Sequence, residues 1–392
     1  IMARSLGVPA VVGLHDTSRR IANGDNVLVD GYDGVVVIHP TEETLYRYGQ
    51  IRARRRTIQK LFDSVRELPA ETTDKRRVKL AANIGGADEV EVVRASGAEG
   101  VGLFRTEALF MRGDRFPSEE EQYGVYREVA EKLSPQPVIV RTLDLGGDKR
   151  LTSFAIAEED NPFMGFRAIR FCLEHQEVFK DQLRAILRAS AHGRLKLMYP
   201  MIGSINEIQQ ANAVLEEAKG ELRERGERFD DKMPVGAMIE IPSAATCADL
   251  LAEHCDFFSI GTNDLIQYML AVDRVNDRIA HLYEPNHPAV LRVIKHVIEA
   301  AHAGGIEAKI CGEMAADPVY APLLIGMGAD ELSVTASGLS EIKYLIRQMS
   351  FADAQELARK VLATHDPKAN FAILQQFYTD TLGDALPPET EG

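Results

Sequence analysis

An α/β fold built as a (β/α)8 barrel, a TIM barrel, is what the sequence predicts, on two observations. From about residue 77, eight short apolar runs alternate with longer amphipathic segments. Charged and reactive side chains then recur directly after those runs, where the strands of such a barrel open into one shared mouth. A doubly wound open sheet is the alternative. The count of eight and the repeated placement of polar residues favour the barrel.

The runs are Val78–Ile84, Gly100–Arg105, Val138–Leu143, Leu195–Met201, Val235–Ile239, Phe257–Gly261, Ile306–Cys311 and Glu331–Val334. Between them Glu119–Leu133, Val178–Ala191, Ile205–Arg225, Ala289–Ala303 and Pro318–Gly326 have helical spacing. Two further segments, Ala352–Ala363 and Ala369–Leu382, read as helices appended to the barrel, which is assigned residues 77–385. The closing PPETEG lacks the apolar content of a packed segment and is expected to be disordered.

Ahead of the barrel the character differs. Residues 1–40 carry three short strand candidates, Val8–Gly13, Asn26–Asp30 and Gly34–His39, split by the turn-forming NGDN and DGYDG. They read as the tail of a small α/β or β-rich domain. Residues 41–76 are assigned to a linker whose helix begins at Thr41, followed by Glu42 and Glu43. Its basic run, Arg52, Arg54, Arg55, Arg56 and Lys60, reads as a solvated face. The chain opens at Ile1 inside the helix-like IMARSLG, the pattern expected of a piece of a longer protein.

Composition narrows the function classes. Hydrophobic residues make up 45% of the 392 and charged residues 27%, an ordinary globular balance. No stretch approaches the roughly 20 apolar residues that cross a bilayer, and no charged-then-apolar leader opens the chain. The four cysteines, Cys172, Cys247, Cys255 and Cys311, show neither paired nor metal-ligand spacing, as expected in a reducing cytoplasm. A net charge of -14 repels nucleic-acid backbones and speaks against such a partner. A small anionic substrate would instead need a local group of arginines.

Such a group can be assembled from the residues at the ends of the runs. GLFRTE supplies Arg105 and Glu107, and VIVRTLDLGGDK supplies Arg141, Asp144, Asp148 and Lys149. MIEIPSAA supplies Glu240, SIGTNDL supplies Asn263 and Asp264, AVDRVND supplies Asp273 and Arg274, and KICGEMA supplies Cys311 and Glu313. Arginine binds phosphate through a planar fork of donors, so Arg105, Arg141 and Arg274 could surround one phosphoryl group. Glu240 and Asp264 suit Mg²⁺, which takes one or two carboxylates and leaves its other positions to water and substrate oxygens. A salt bridge inside the arginine cluster is their plainer role. Asn263 could donate to a phosphate oxygen. A lone cysteine is more often a small buried apolar group, but Cys311 ends a strand at the expected mouth, where a thiol can act as general acid and its thiolate as base. His15, His39, His281, His287 and His302 show no catalytic pattern.

The stretches GVGLFRTE, VIVRTLDLGGDK, DNPFMGFRAIR, FFSIGTNDLIQYMLAVDR and CGEMAADP resemble the enzyme I family, the phosphoenolpyruvate–protein phosphotransferases of the bacterial phosphotransferase system. The likeness covers nearly the whole chain. It implies that Arg105, Arg141 and Arg274 bind phosphoenolpyruvate, with Arg167 of GFRAIR also near it. Asn263 and Asp264 are implied as substrate contacts, Glu240 and Asp264 as Mg²⁺ ligands, and Cys311 as the group that protonates the enolate carbon of the product. Residues 1–40 then resemble the remnant of a swivelling phosphohistidine domain. The family's phosphorylated histidine falls just before the stretch resembling IMARSLGVPAVVG, ahead of this chain. A cytoplasmic homodimer is implied, with an HPr-like phosphocarrier protein as final acceptor and no membrane partner. The C-terminal domain of pyruvate phosphate dikinase or phosphoenolpyruvate synthase remains an alternative, as does a non-catalytic donor-binding fragment.

Overall fold

The computed structural model describes residues 8–14, 16–31, 33–111, 115–146 and 159–383. IMARSLG, His15, Asp148, Lys149 and PPETEG lie outside the described residues.

β1 (Val27–Asp30) and β2 (Val35–Ile38) form an antiparallel pair, Val27 opposite Ile38. Two of the three strands expected before residue 40 are therefore present. The third is not: Val8–Gly13 has no strand. Pro9 withholds a backbone donor, and Val12 is 90% exposed with no sheet to cover it.

Helix α1 (Glu42–Asp63) starts where the Thr41 hydroxyl accepts the Thr44 N–H at 3.2 Å, and it ends well before residue 76. Phe62 is its one buried side chain, so most of the helix is solvated. Arg52, Arg56 and Lys60 are exposed as the charge run predicts. Arg55 departs from that pattern, reaching Asp30 at 2.9 Å and Asp33 at 3.0 Å and tying the β1–β2 hairpin to the helix. At the other end Phe62 and Val65 pack on Tyr344, Leu345 and Leu382.

The eight runs become eight parallel strands: β3 (Lys79–Ile84), β4 (Val101–Arg105), β5 (Val138–Arg141), β6 (Leu195–Tyr199), β7 (Val235–Ile239), β8 (Phe257–Gly261), β9 (Glu307–Cys311) and β10 (Glu331–Val334). They close in sequence order, β10 pairing back to β3. Strands buried on both faces read as unbroken apolar runs, which is why their boundaries were so nearly visible. Residues of alternate parity point to opposite faces. The inward set Leu103, Ile139, Met198, Met238, Phe257 and Cys311 fills the barrel as a cluster of its own. The outward set joins the helices in one large core. Two residues before Cys311, Lys309 is buried with its ammonium 2.5 Å from Glu331 and 3.1 Å from Glu307.

The surrounding helices have clear local causes. In α2 (Glu119–Leu133) and α4 (Ile205–Glu224), capping boxes formed by Ser118 with Glu121 and by Ser204 with Glu207 satisfy the first backbone donors. In α3 (Gln176–Ser190), Phe179, Leu183, Ile186 and Leu187 make the apolar stripe that faces the sheet. Arg184 of α3 reaches Glu119 at 2.7 Å and Glu221 at 2.5 Å, fastening α2, α3 and α4 to one another. Helix α5 (Thr262–Leu270) follows β8 and α6 (Pro288–Ala303) precedes β9. Helices α7 (Phe351–Ala363) and α8 (Pro367–Leu382) form the appended pair.

Candidate active site

The parallel register sets Arg105 of β4 opposite Arg141 of β5, so two guanidiniums leave adjacent strands side by side. Their surroundings differ. Arg141 is 6% exposed, ion-paired with Glu107 and 3.0 Å from Asp144. Burial opposes its charge, but the Glu107, Asp144 and Glu240 carboxylates outweigh that and hold its pKa above the ordinary value. Burial and the charge of Arg141 push the Arg105 guanidinium down instead. Among the described residues Arg105 has no hydrogen-bond or ion-pair partner. It is a desolvated cation that Glu107 and Glu313 attract only at a distance.

Asp144 is the hub of the site. It takes Arg141 on one oxygen, and on the other it takes Arg167, through Nη2 at 2.8 Å and Nε at 3.2 Å. Arg167 also lies 3.5 Å from Asp264 and 3.4 Å from the Tyr268 hydroxyl. Asp264 sits in the first turn of α5, where a negative charge is favoured by the helix dipole, and it receives Arg274 at 2.6 Å. Its neighbour Asn263 accepts the Glu313 backbone N–H through Oδ1 at 2.9 Å.

Glu240 follows β7 and is 2% exposed, with one oxygen accepting the Met201 N–H at 2.7 Å. Burial, and then the nearby Asp264 and Asp144 charges, push its carboxyl well above the ordinary glutamate range against the pull of Arg141 and Arg167. Gly261 makes this placement possible: a Cβ there would come within 2.8 Å of Glu240 Oε2.

Cys311 ends β9 and is 2% exposed. Its sulfur accepts the Ser259 hydroxyl at 3.4 Å, and its thiol donates to the Ile260 carbonyl at 3.6 Å. Burial pushes the thiol pKa up, while the Ser259 hydrogen bond, Arg141 and Arg105 pull it back and Glu240 adds to the rise. Gly312 then turns the chain at φ +101°, where a side chain would collide with Thr262 Oγ1.

Arg105, Arg141, Arg167, Glu240, Asn263, Asp264, Arg274 and Cys311 thus meet at one end of one barrel. The arrangement offers donors for a small anion, a dry pair of carboxylates for a cation, and a thiol within the same field. Glu107 and Asp144, noted in the sequence only as charged groups beyond their runs, prove to be the counter-ions of the arginines. Tyr268 was missed, although it lies one helical turn from Asp264, a spacing that puts both on one face of α5. Ser259 was missed as well, and nothing in its spacing could have marked it.

Residues 59–351 match the family described as PEP-utilising enzyme, PEP-binding domain, and residues 1–34 match its mobile domain. The chain is 48% identical over 363 residues to the phosphoenolpyruvate-protein phosphotransferase of Bacillus sp. (strain S) and equally so to that of Geobacillus stearothermophilus. It is 46% identical over 362 residues to the protein of the same name from Listeria monocytogenes. These alignments cover 93%, 93% and 92% of the chain, and the chain spans 63% of the length of each relative. With a matched domain lying over the whole barrel, the chain belongs to the PEP-utilising enzymes.

Proposed function

We propose that the barrel binds phosphoenolpyruvate with Mg²⁺ and acts as the donor half of a phosphoenolpyruvate–protein phosphotransferase. The observation that carries this reading is the pairing pattern of the arginines. Arg141, Arg167 and Arg274 are held in place by Glu107, Asp144 and Asp264, while Arg105 beside them makes no ion pair among the described residues. A phosphoryl group between Arg105 and Arg141 would relieve the repulsion of those two cations and spread its own charge over their donors.

Glu240 and Asp264 would hold Mg²⁺. Two hard carboxylate donors suit that ion, and burial together with the Asp264 and Asp144 charges pushes the Glu240 carboxyl up, a cost that a bound cation would relieve. When bound, the ion would supply charge neutralisation for the phosphate and for the enolate that remains after transfer. Asn263, half-buried, would donate its amide N–H₂ to a substrate oxygen. Cys311 would give its thiol proton to the enolate carbon, so that pyruvate leaves as the ketone. The acceptor would be a histidine side chain. An HPr-like carrier and a homodimeric, cytoplasmic assembly belong to the same reading. Among the described residues no helix is long and apolar enough to cross a membrane.

Titration calorimetry with phosphoenolpyruvate, with and without Mg²⁺, tests the proposal. Binding that needs Mg²⁺ and falls in Arg141→Ala is expected. Binding that ignores both the ion and the substitution would falsify it.

A further inference from the structure

We propose that Ser259 is the positioning residue for the Cys311 thiol: its hydroxyl fixes the sulfur beneath the mouth and donates to it once the proton has left. The inference rests on the reading of Cys311 as proton donor to the enolate carbon.

Ser259 is 1% exposed and lies two residues along β8 from Phe257, on the same inward face. The register sets it between Met238 of β7 and the buried Lys309 of β9, on the face that also carries the apolar cluster filling the barrel. A hydroxyl in such a place is costly unless it finds a partner. The one it has among the described residues is Cys311 Sγ, at 3.4 Å. An alanine there would serve the packing without that cost, so the hydroxyl is explained by the sulfur.

The strand geometry supports the same conclusion. Ser259 and Ile260, consecutive on β8, bracket the sulfur with a donor below and a carbonyl acceptor at 3.6 Å. The register pairs Cys311 with Gly261 of the same strand β8. The sulfur is therefore fixed from the floor, below the rim. Arg105, Arg141 and Glu240 act on it from that rim, and Lys309 lies two residues back on its own strand.

In the step itself the S–H proton passes to C3 of the enolate. The enolate π pair becomes the new C–H bond, the ketone re-forms at C2, and the S–H electron pair stays on sulfur as thiolate. The Ser259 O–H then donates to an anion, a stronger bond than the one it makes to the thiol.

The reverse step needs no phosphoryl acceptor and can be read on this chain. Exchange of the pyruvate methyl protons in D₂O, with Mg²⁺ and inorganic phosphate present, is followed by proton NMR. Ser259→Ala is expected to slow exchange at least about tenfold, the loss of one hydrogen bond to a charged group, with phosphoenolpyruvate affinity by calorimetry unchanged. Ser259→Thr, which keeps the donor, is expected to recover most of the wild-type rate. Wild-type exchange in Ser259→Ala, loss of affinity together with exchange, or a Thr variant as slow as the Ala variant overturns the role of Ser259. Exchange that survives in Cys311→Ala, or is absent from the wild type, removes the reading of Cys311 and this inference with it.

Discussion

Asp264 Oδ1 lies 2.6 Å from Nη1 of Arg274, a contact that joins the start of α5 to the loop after it. The carboxylate proposed to hold the cation is thus already matched with a guanidinium, and Arg167 approaches it from the other side at 3.5 Å. Were Asp264 to hold Mg²⁺, it would share its charge between the ion and Arg274. Asp264→Asn keeps the shape and removes the charge. It should weaken Mg²⁺-dependent phosphoenolpyruvate binding at least about tenfold, the usual lower bound for disturbing a metal's surroundings. Calorimetry at fixed ionic strength measures this, and wild-type affinity in the variant would take Asp264 out of the site.

Arg105 should show the opposite balance between stability and binding. It is desolvated, repelled by Arg141 and unpaired among the described residues. Arg105→Ala is expected to leave the melting temperature unchanged or raise it while donor affinity falls, the trade-off of a site strained for function. A clear drop in melting temperature would show that the side chain supports the fold instead.

Gly312→Ala probes the turn after the thiol. The φ of +101° and the collision with Thr262 Oγ1 predict a cost of about 1–3 kcal/mol. Because Thr262 also donates to the Cys311 carbonyl at 3.1 Å, the thiol should be displaced too. Chemical denaturation should report the destabilisation and pyruvate exchange the displacement. A variant normal in both would mean the turn tolerates a side chain.

Glu307 sets a pH dependence far from the mouth. Burial pushes its carboxyl up, but the Lys79 hydrogen bond and the Lys309 ammonium outweigh it and hold it down to about 2. A carboxyl lowered in the folded state stabilises fully above its ordinary value of 4.5 and loses that contribution as pH falls toward 2. Glu307→Gln should therefore melt lower than wild type at neutral pH, with the gap narrowing through this acid window. A gap independent of pH would contradict the assignment.

The barrel was legible because each strand is buried on both faces and reads as a continuous apolar run. Val8–Gly13 misled for the same reason: VPAVVG has the composition of a strand, but pairing depends on a partner that composition does not reveal. Arg105, Arg141, Glu240, Asp264 and Cys311 were legible because the fold sends the ends of its strands to one place. The contacts among them were not. Asp144 between two arginines, Arg55 on the hairpin and Ser259 under the thiol all depend on register and rotamer, which join residues far apart in the chain.

Around the mouth Arg105, Arg141, Arg167 and Arg274 face Glu107, Asp144, Glu240 and Asp264, so the cluster carries its own counter-charges within a chain of net charge -14. An approaching trianion meets a repulsive molecule from afar and an accommodating one only at close range. Its capture then proceeds by exchange of partners rather than by long-distance attraction. Added salt, by screening the molecule as a whole, should speed its arrival while scarcely loosening it once seated.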